Sequence, residues 1–511
     1  MNKSIIEPMT TYKYISIAIA ISMSLFSSVF ANNVEVENIS ITGQNNASDT
    51  KFIELDVSWE NSWRTSASPN NWDAVWLFAK YRLTSGTLWE HATLSSVDGN
   101  HVAPAGSQVS AVSDGKGIFL YRDTDGFGNN DFNNLQMLWD YGIDGLADND
   151  SVEICVYAVE MVYVPQGDFT LGDGNGTTHS TNAFEIGTTN NYVTISTSII
   201  NDVQTTNTDA VPLTSPGIGI DGDGGLDINN DGDVTDPGDN PNFPTGYNSF
   251  YTMKYEISQG QYVDFLNKLT IGQGTLRMTA LTTSRHNMTG TGNNWTTLTP
   301  NRACGRLNWM DLSAYADWTG LRPMTELEYE KSCRGQITSV LNEFAWGSTS
   351  IYAALYTLSM DGTGSEAITN MGTSTGNANY STTDPSGPVR CGIFASSSAN
   401  NTREETGGSY YGIMELSGNV NEMVVTLGDA NGLAYDGNHG DGELALTGNA
   451  NQLLWPGNSG TEITTADASG VRGGAWNSSP LYLQVSNRTY ANTEVISRST
   501  VYGGRCVRTA P

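Results

Sequence analysis

Residues 322–335 read RPMTELEYEKSCRG. Thr325 is a helix N-cap residue, Glu328 three positions later completes a capping box, and Gly335 supplies a stop. The stretch therefore predicts a helix from Thr325 to Gly335. Two more helices are signalled upstream. Ser258 and Gln261 form a second capping box ahead of one apolar stripe, Tyr262, Phe265, Leu266 and Leu269, which predicts a helix over 259–269. Asp311 reads as the N-cap of another, with Leu312, Tyr315 and Ala316 on one face. All three read as core-facing. The chain has 511 residues, and its 55 glycines, with much Asn, Thr and Ser, indicate turns and short strands elsewhere. The expected class is α+β, with little regular secondary structure in the C-terminal part.

Further outward, the N-terminal region reads as β. Residues 52–59 (FIELDVSW) alternate apolar and polar most cleanly; 76–83, 117–122 and 151–163 are further strand-like runs between Gly/Asn/Asp/Ser turns. An all-β, sandwich-like domain is expected over 32–159 and a second domain over 160–511. The loop at 123–131 (DTDGFGNND) reads equally as a cation site or a plain hairpin turn. A Gly/Asp/Asn/Pro-rich insertion at about 215–245 interrupts the second domain without ending it. No repeat of fixed period is present.

The first residues have a separate character. Lys3 and Lys13 precede an apolar run over 14–30 that ends in Val29-Phe30-Ala31, the pattern of a secretory signal peptide (1–31) cut after Ala31. No later stretch is long and apolar enough to span a bilayer, so no transmembrane anchor is expected and the protein is expected to be secreted, periplasmic or extracellular. The formal net charge of −30 repels phosphate backbones, which argues against nucleic acid, and favours hard cations bound through oxygen. The five cysteines, Cys155, Cys304, Cys333, Cys391 and Cys506, are odd in number and show no CxxC spacing, so their pairing is open.

Six motifs in order carry a resemblance. Residues 161–172 (MVYVPQGDFTLG), 255–266 (YEISQGQYVDFL), 322–335, 411–423 (YGIMELSGNVNEM), 471–480 (VRGGAWNSSP) and 503–508 (GGRCVR) resemble, in sequence, the motifs of the formylglycine-generating-enzyme (sulfatase-modifying-factor) family. The resemblance implies a C-type-lectin-related fold over the C-terminal two-thirds. Family members that oxidise a substrate cysteine use a cysteine pair in the closing segment, because soft thiolate sulfur suits Cu(I). Counted from Gly473, those positions fall here on Ala475, Ser478 and Leu483. No cysteine occurs between Cys391 and Cys506, so copper is not expected. Cys333 and Cys506 match positions that are disulfide-bonded in some relatives. The iron-dependent sulfoxide synthases of the family need a histidine-rich site, and the five His here are scattered.

Two stretches read as calcium sites against the alternative of plain turns. The resemblance implies that the loop at 415–422 (ELSGNVNE) binds calcium through the carboxylates of Glu415 and Glu422 and the carbonyls of Gly418 and Val420. In the insertion, Asp227, Asn229, Asp231 and Asp233 alternate, with Gly232 at the sharp turn of an EF-hand-like loop and Asp236 or Asp239 to close the shell. The closing segment offers stacking and hydrogen-bonding groups for a sugar or peptide: Trp476, Asn477, Asn487, Arg488, Tyr490, Arg498 and Arg505. The leading expectation is a calcium-binding, non-oxidase module that binds a glycan or protein, or assembles on a surface. The alternatives are a formylglycine-generating oxidase or related modifying enzyme, and a self-assembling filament or surface-layer subunit.

Overall fold

The computed structural model describes residues 34–205, 217–278, 280, 282–381 and 385–511. The expected signal peptide lies outside the described residues. Strands are more common than helices, and the motif-bearing region is C-terminal.

Eight strands open the chain: β1 (Glu35–Asn45), β2 (Thr50–Arg64), β3 (Asp73–Leu83), β4 (Glu90–His91), β5 (Ser107–Ala111), β6 (Ile118–Arg122), β7 (Gly126–Asp140) and β8 (Val152–Val164). The antiparallel sheet β1-β2-β7 packs its inner face on a larger sheet. In β2, Ile53, Leu55, Val57 and Trp59 point inward and alternate with half-exposed residues, so one face is wet and one dry. They meet Val75, Leu77, Ala79 and Tyr81 of β3 and Leu135, Met137 and Trp139 of β7. The turn at 123–125 joins β6 to β7, and the Asp125 carboxylate accepts from the Ser66 amide (3.0 Å).

The larger sheet runs on into the C-terminal region. Its order is Arg322–Pro323, Cys506–Thr509, Phe250–Met253, β8, β3, β6 and β5, with β4 beside β3. β8 is the shared strand. Residues Val152 to Val162 pair with β3, while Met161 to Val164 pair with Phe250–Met253. The other face of β3, Ala74, Trp76 and Phe78, belongs to the C-terminal core. Trp76 donates its indole N–H to the Thr319 carbonyl (2.8 Å). β3 is thus buried on both faces, which removes the alternation that marks β2.

Two of four helices pack their apolar faces on that second face, α1 (Gln259–Leu266) and α3 (Trp309–Trp318); α2 (Ile271–Arg277) follows α1, and α4 (Glu326–Arg334) places Tyr329 and Cys333 in a separate core with Val162, Val164 and Phe250. The capping boxes expected at Ser258 and Thr325 are present. The start of α3 differs from expectation. Asn308, not Asp311, is the N-cap; Asp311 sits at the third helical position and accepts from the Asn308 amide (3.1 Å). Asn caps as well as Asp, and the reciprocal bond favours the earlier start. α2, capped by Thr270 and Gln273, adds a short helix just beyond α1.

Candidate functional site

The strand Asn421–Val425 pairs with Ser469–Arg472 and, in parallel, with Tyr502–Gly503, which brings the 415–422 loop against the closing segment. Gly418 donates to the Gly473 carbonyl and Trp476 to the Asn419 carbonyl, both at 2.8 Å. Gly473 adopts φ +78, and a Cβ there would stand 2.6 Å from the Leu416 carbonyl oxygen, so only glycine lets the two loops approach this closely.

At Ala475, Ser478 and Leu483, the positions counted from Gly473, the chain has a turn and a hydrophobic contact. The Ala475 amide donates to the Ser478 hydroxyl oxygen (2.9 Å), and the Ser478 amide donates back to the Ala475 carbonyl (2.8 Å). Leu483 is buried beside Phe344, Trp346 and Ala378. All five cysteines are free thiols, so Cys333 and Cys506 form no disulfide. Burial pushes the Cys333 thiol up to about 12 and raises Cys304, Cys391 and Cys506 as well, so these are protonated sulfurs.

Beneath the loop lies a buried carboxylate group. Glu415 and Glu422 are joined there by Glu256, whose two oxygens accept from the Val420 amide (2.9 Å) and the Asn419 side-chain amide (2.5 Å). One oxygen of Glu422 takes two bonds from Arg505 (2.7 and 2.6 Å); one oxygen of Glu415 accepts from the Gly392 amide (2.8 Å). The second oxygen of each, Oε2, is buried without a hydrogen-bond partner. Burial raises Glu415 to about 7 and raises Glu422; Glu256 is held well above the carboxylate range by burial and by its two acidic neighbours. If all three were ionised, carboxylates so placed would carry more negative charge than Arg505 offsets, so without a cation they hold protons instead. Among the described residues no three His, Cys, Asp or Glu groups are arranged to hold a metal by side chains alone. A cation here therefore needs backbone oxygens such as those of Gly418 and Val420. Both orphaned oxygens and the excess charge fit a hard cation.

The insertion loop is a ladder of side-chain to backbone bonds. The buried Asp227 carboxylate accepts from the amides of Asp231 (3.2 Å) and Gly232 (2.7 Å), Asn229 from Asp231 (2.9 Å), Asp231 from Asp233 (3.1 Å) and Asp233 from Thr235 (2.9 Å). Asp239 closes the loop on the Ile228 amide (2.8 Å). Asp231, then Asp233, raise the Asp236 carboxyl, so these charges face one another.

The expected ligand surface of the closing segment is mostly interior. Arg488 is fully buried, engages Glu326 through two bonds (2.7 and 2.8 Å) and lies over the Phe184 ring at 4.1 Å. Arg505 holds Glu422, and Arg498 clamps Asp311 (2.5 and 2.7 Å). Asn487 is buried, and Trp476 is buried with its indole N–H on the Thr500 carbonyl (3.2 Å). Only Asn477 and Tyr490 are exposed, the latter against Tyr482. The guanidiniums satisfy buried carboxylates instead of facing a ligand. Glu256 was missed from sequence; its one signal was its place in the YEIS motif.

Comparison with known proteins agrees with the motifs. The family model of the sulfatase-modifying factor enzyme 1-like domain matches residues 220–510, more than half of the chain. No curated protein matches at a significant level. Among solved structures, Treponema denticola variable protein 1 aligns at 13% identity and a TM-score of 0.27, over 51% of this chain and 84% of that one. By the extent of the family match, the chain belongs to the sulfatase-modifying-factor, or formylglycine-generating-enzyme-like, family.

Proposed function

We propose that the chain is an exported, calcium-stabilised member of this family that binds a glycan or protein instead of oxidising one. One observation carries the reading: the closing segment holds Ala475, Ser478 and Leu483 where Cu(I) chemistry needs two thiolates. Four of the five thiols are buried and held protonated elsewhere. The test is incubation with Cu(I), oxygen and a sulfatase-type cysteine peptide. No aldehyde and no tight copper are expected; stoichiometric Cu(I) with turnover would restore the oxidase reading. Export is tested by the mature N-terminus, expected at Asn32.

Calcium enters as a structural ligand. Glu415 and Glu422, with Glu256 behind them and the carbonyls of Gly418 and Val420, would hold one ion; Asp227, Asn229, Asp231, Asp233 and Asp236, with backbone or water oxygens completing the shell, would hold another. A bound ion neutralises carboxylates that otherwise repel at short range. A chelator is expected to lower the melting temperature, and calcium at about 100 times its Kd to restore about 2.7 kcal/mol per site. An unchanged melt in chelator removes both sites.

A further inference from the structure

We propose that the outer face of the β1-β2-β7 sheet is a binding trough for a neutral oligosaccharide. The inference rests on the reading of the chain as a binding protein and names both its ligand class and its place. An open trough of about 940 Å³ lies there, near the upper end of the roughly 300–1,000 Å³ usual for small-molecule sites. Its floor comes from side chains that alternate away from the sandwich core. Phe52 of β2 stands opposite Leu138 of β7, and Thr50 opposite Asp140. One rim is the β1–β2 turn with Asn45; the other is the segment after β4, with Ser95 and the exposed Asn100.

Three features select the ligand. First, no Lys, Arg or His lines the trough, and its charged groups are carboxylates, so sulfated, phosphorylated and uronic ligands are repelled. Of these, Asp114 is already held by Arg508 at 2.6 Å. Second, the floor is a half-exposed aromatic ring beside an aliphatic side chain, while the rims are mostly hydroxyls and amides, with Ile143 and Asp114 among them. A pyranose presents the matching pattern, an apolar C–H face edged by hydroxyls. Third, Gly43 sits over Phe52 with φ +59, and a Cβ there would come within 2.9 Å of the ring, so glycine keeps that edge clear. An extended peptide would instead seek a free strand edge, which this floor does not offer.

The experiment is calorimetric titration of the full chain with neutral hexasaccharides built on glucose, xylose, mannose and N-acetylglucosamine, and with a heparin hexasaccharide as the anionic probe. At least one neutral hexasaccharide is expected to bind and heparin not to bind. Phe52→Ala should weaken binding by about tenfold. Asn100→Ala, at an exposed position, should weaken it by about threefold with the melt unchanged. Neutral binding that both variants leave intact would move the glycan site elsewhere and overturn the trough. Failure of every neutral probe, or preference for heparin, would also overturn it. The copper and peptide test decides separately whether the non-oxidase reading stands.

Discussion

The two faces of the central sheet are stabilised in different ways. On the N-terminal side, β2, β3 and β7 meet through an almost wholly apolar core in which the strands satisfy their own backbone groups. On the C-terminal side, the core is ringed by irregular loops and carries many fully buried charges. Glu326 alone accepts from Arg472 (2.8 Å), Arg488, the Thr426 hydroxyl (2.8 Å) and the Leu427 amide (3.1 Å). Glu330 bonds Arg472 (2.6 Å) and Arg334 (3.1 Å), which in turn holds Glu343 (2.5 Å). Where loops have no ladder partner, their buried carbonyls and amides still need bonds. Here guanidiniums supply them: Arg472 donates to the Val485 carbonyl (2.6 Å) and Arg334 to the Thr170 carbonyl (2.7 Å).

The largest expected effect tests whether the two faces are separable at all. β3 places Trp76 and Phe78 in the C-terminal core, where Arg508 lies over the Trp76 ring at 4.7 Å. A fragment of residues 160–511 would leave Trp318, which meets the Phe78 ring at 5.3 Å and packs on Phe265 and Tyr315, without that cover. It is expected to lack a cooperative melt and to bind a hydrophobic dye; a sharp native-like transition would show the C-terminal region to be autonomous. Next comes the charge network. Glu326→Ala strands the buried Arg488 guanidinium and takes one of two carboxylates from Arg472, and is expected to cost about 3–5 kcal/mol in urea unfolding. Leu55→Ala, in the apolar core opposite, should cost about 2–4 kcal/mol. A cost for Glu326→Ala below 1 kcal/mol would mean that water or another carboxylate replaces it, and the contrast between the faces would fail.

The same contrast explains what the sequence disclosed. The strand at 52–59 lies within β2 because one dry and one wet face print a period of two. β3 has two dry faces and prints a nearly continuous apolar run instead. The change of character near residue 160 reads as a boundary, yet β8 runs through it and pairs on both sides. Capping boxes are local, so the helices at 259 and 326 could be found from spacing alone. Ion pairs are not local: Arg488 and Glu326 are 162 residues apart, and nothing in either neighbourhood tells a buried guanidinium from a ligand-binding one. The lack of sulfur in the closing segment is different again, because absence of a residue type can be read directly.

The smallest predicted effect probes the seam itself. Asp264 on α1 is largely buried near Tyr157 of β8 and Tyr315 of α3. Burial raises its carboxyl to about 6, offset in part by Lys268 one turn further on. The folded state thus holds the proton more tightly than the unfolded chain, whose value is near 3.8. Its contribution to stability is complete below about pH 4 and is lost as the pH rises through 6. Asp264→Asn removes the titration. Because the site is not fully shielded from water, the shift translates to about 1–2 kcal/mol. The variant should therefore be more stable than the parent by that amount at pH 8 and equal to it at pH 3.5, measured by urea unfolding. A gain that persists unchanged at pH 3.5 would assign the effect to packing. No gain at any pH would mean that this carboxylate, like those around Arg472, is already matched by charge in the folded protein.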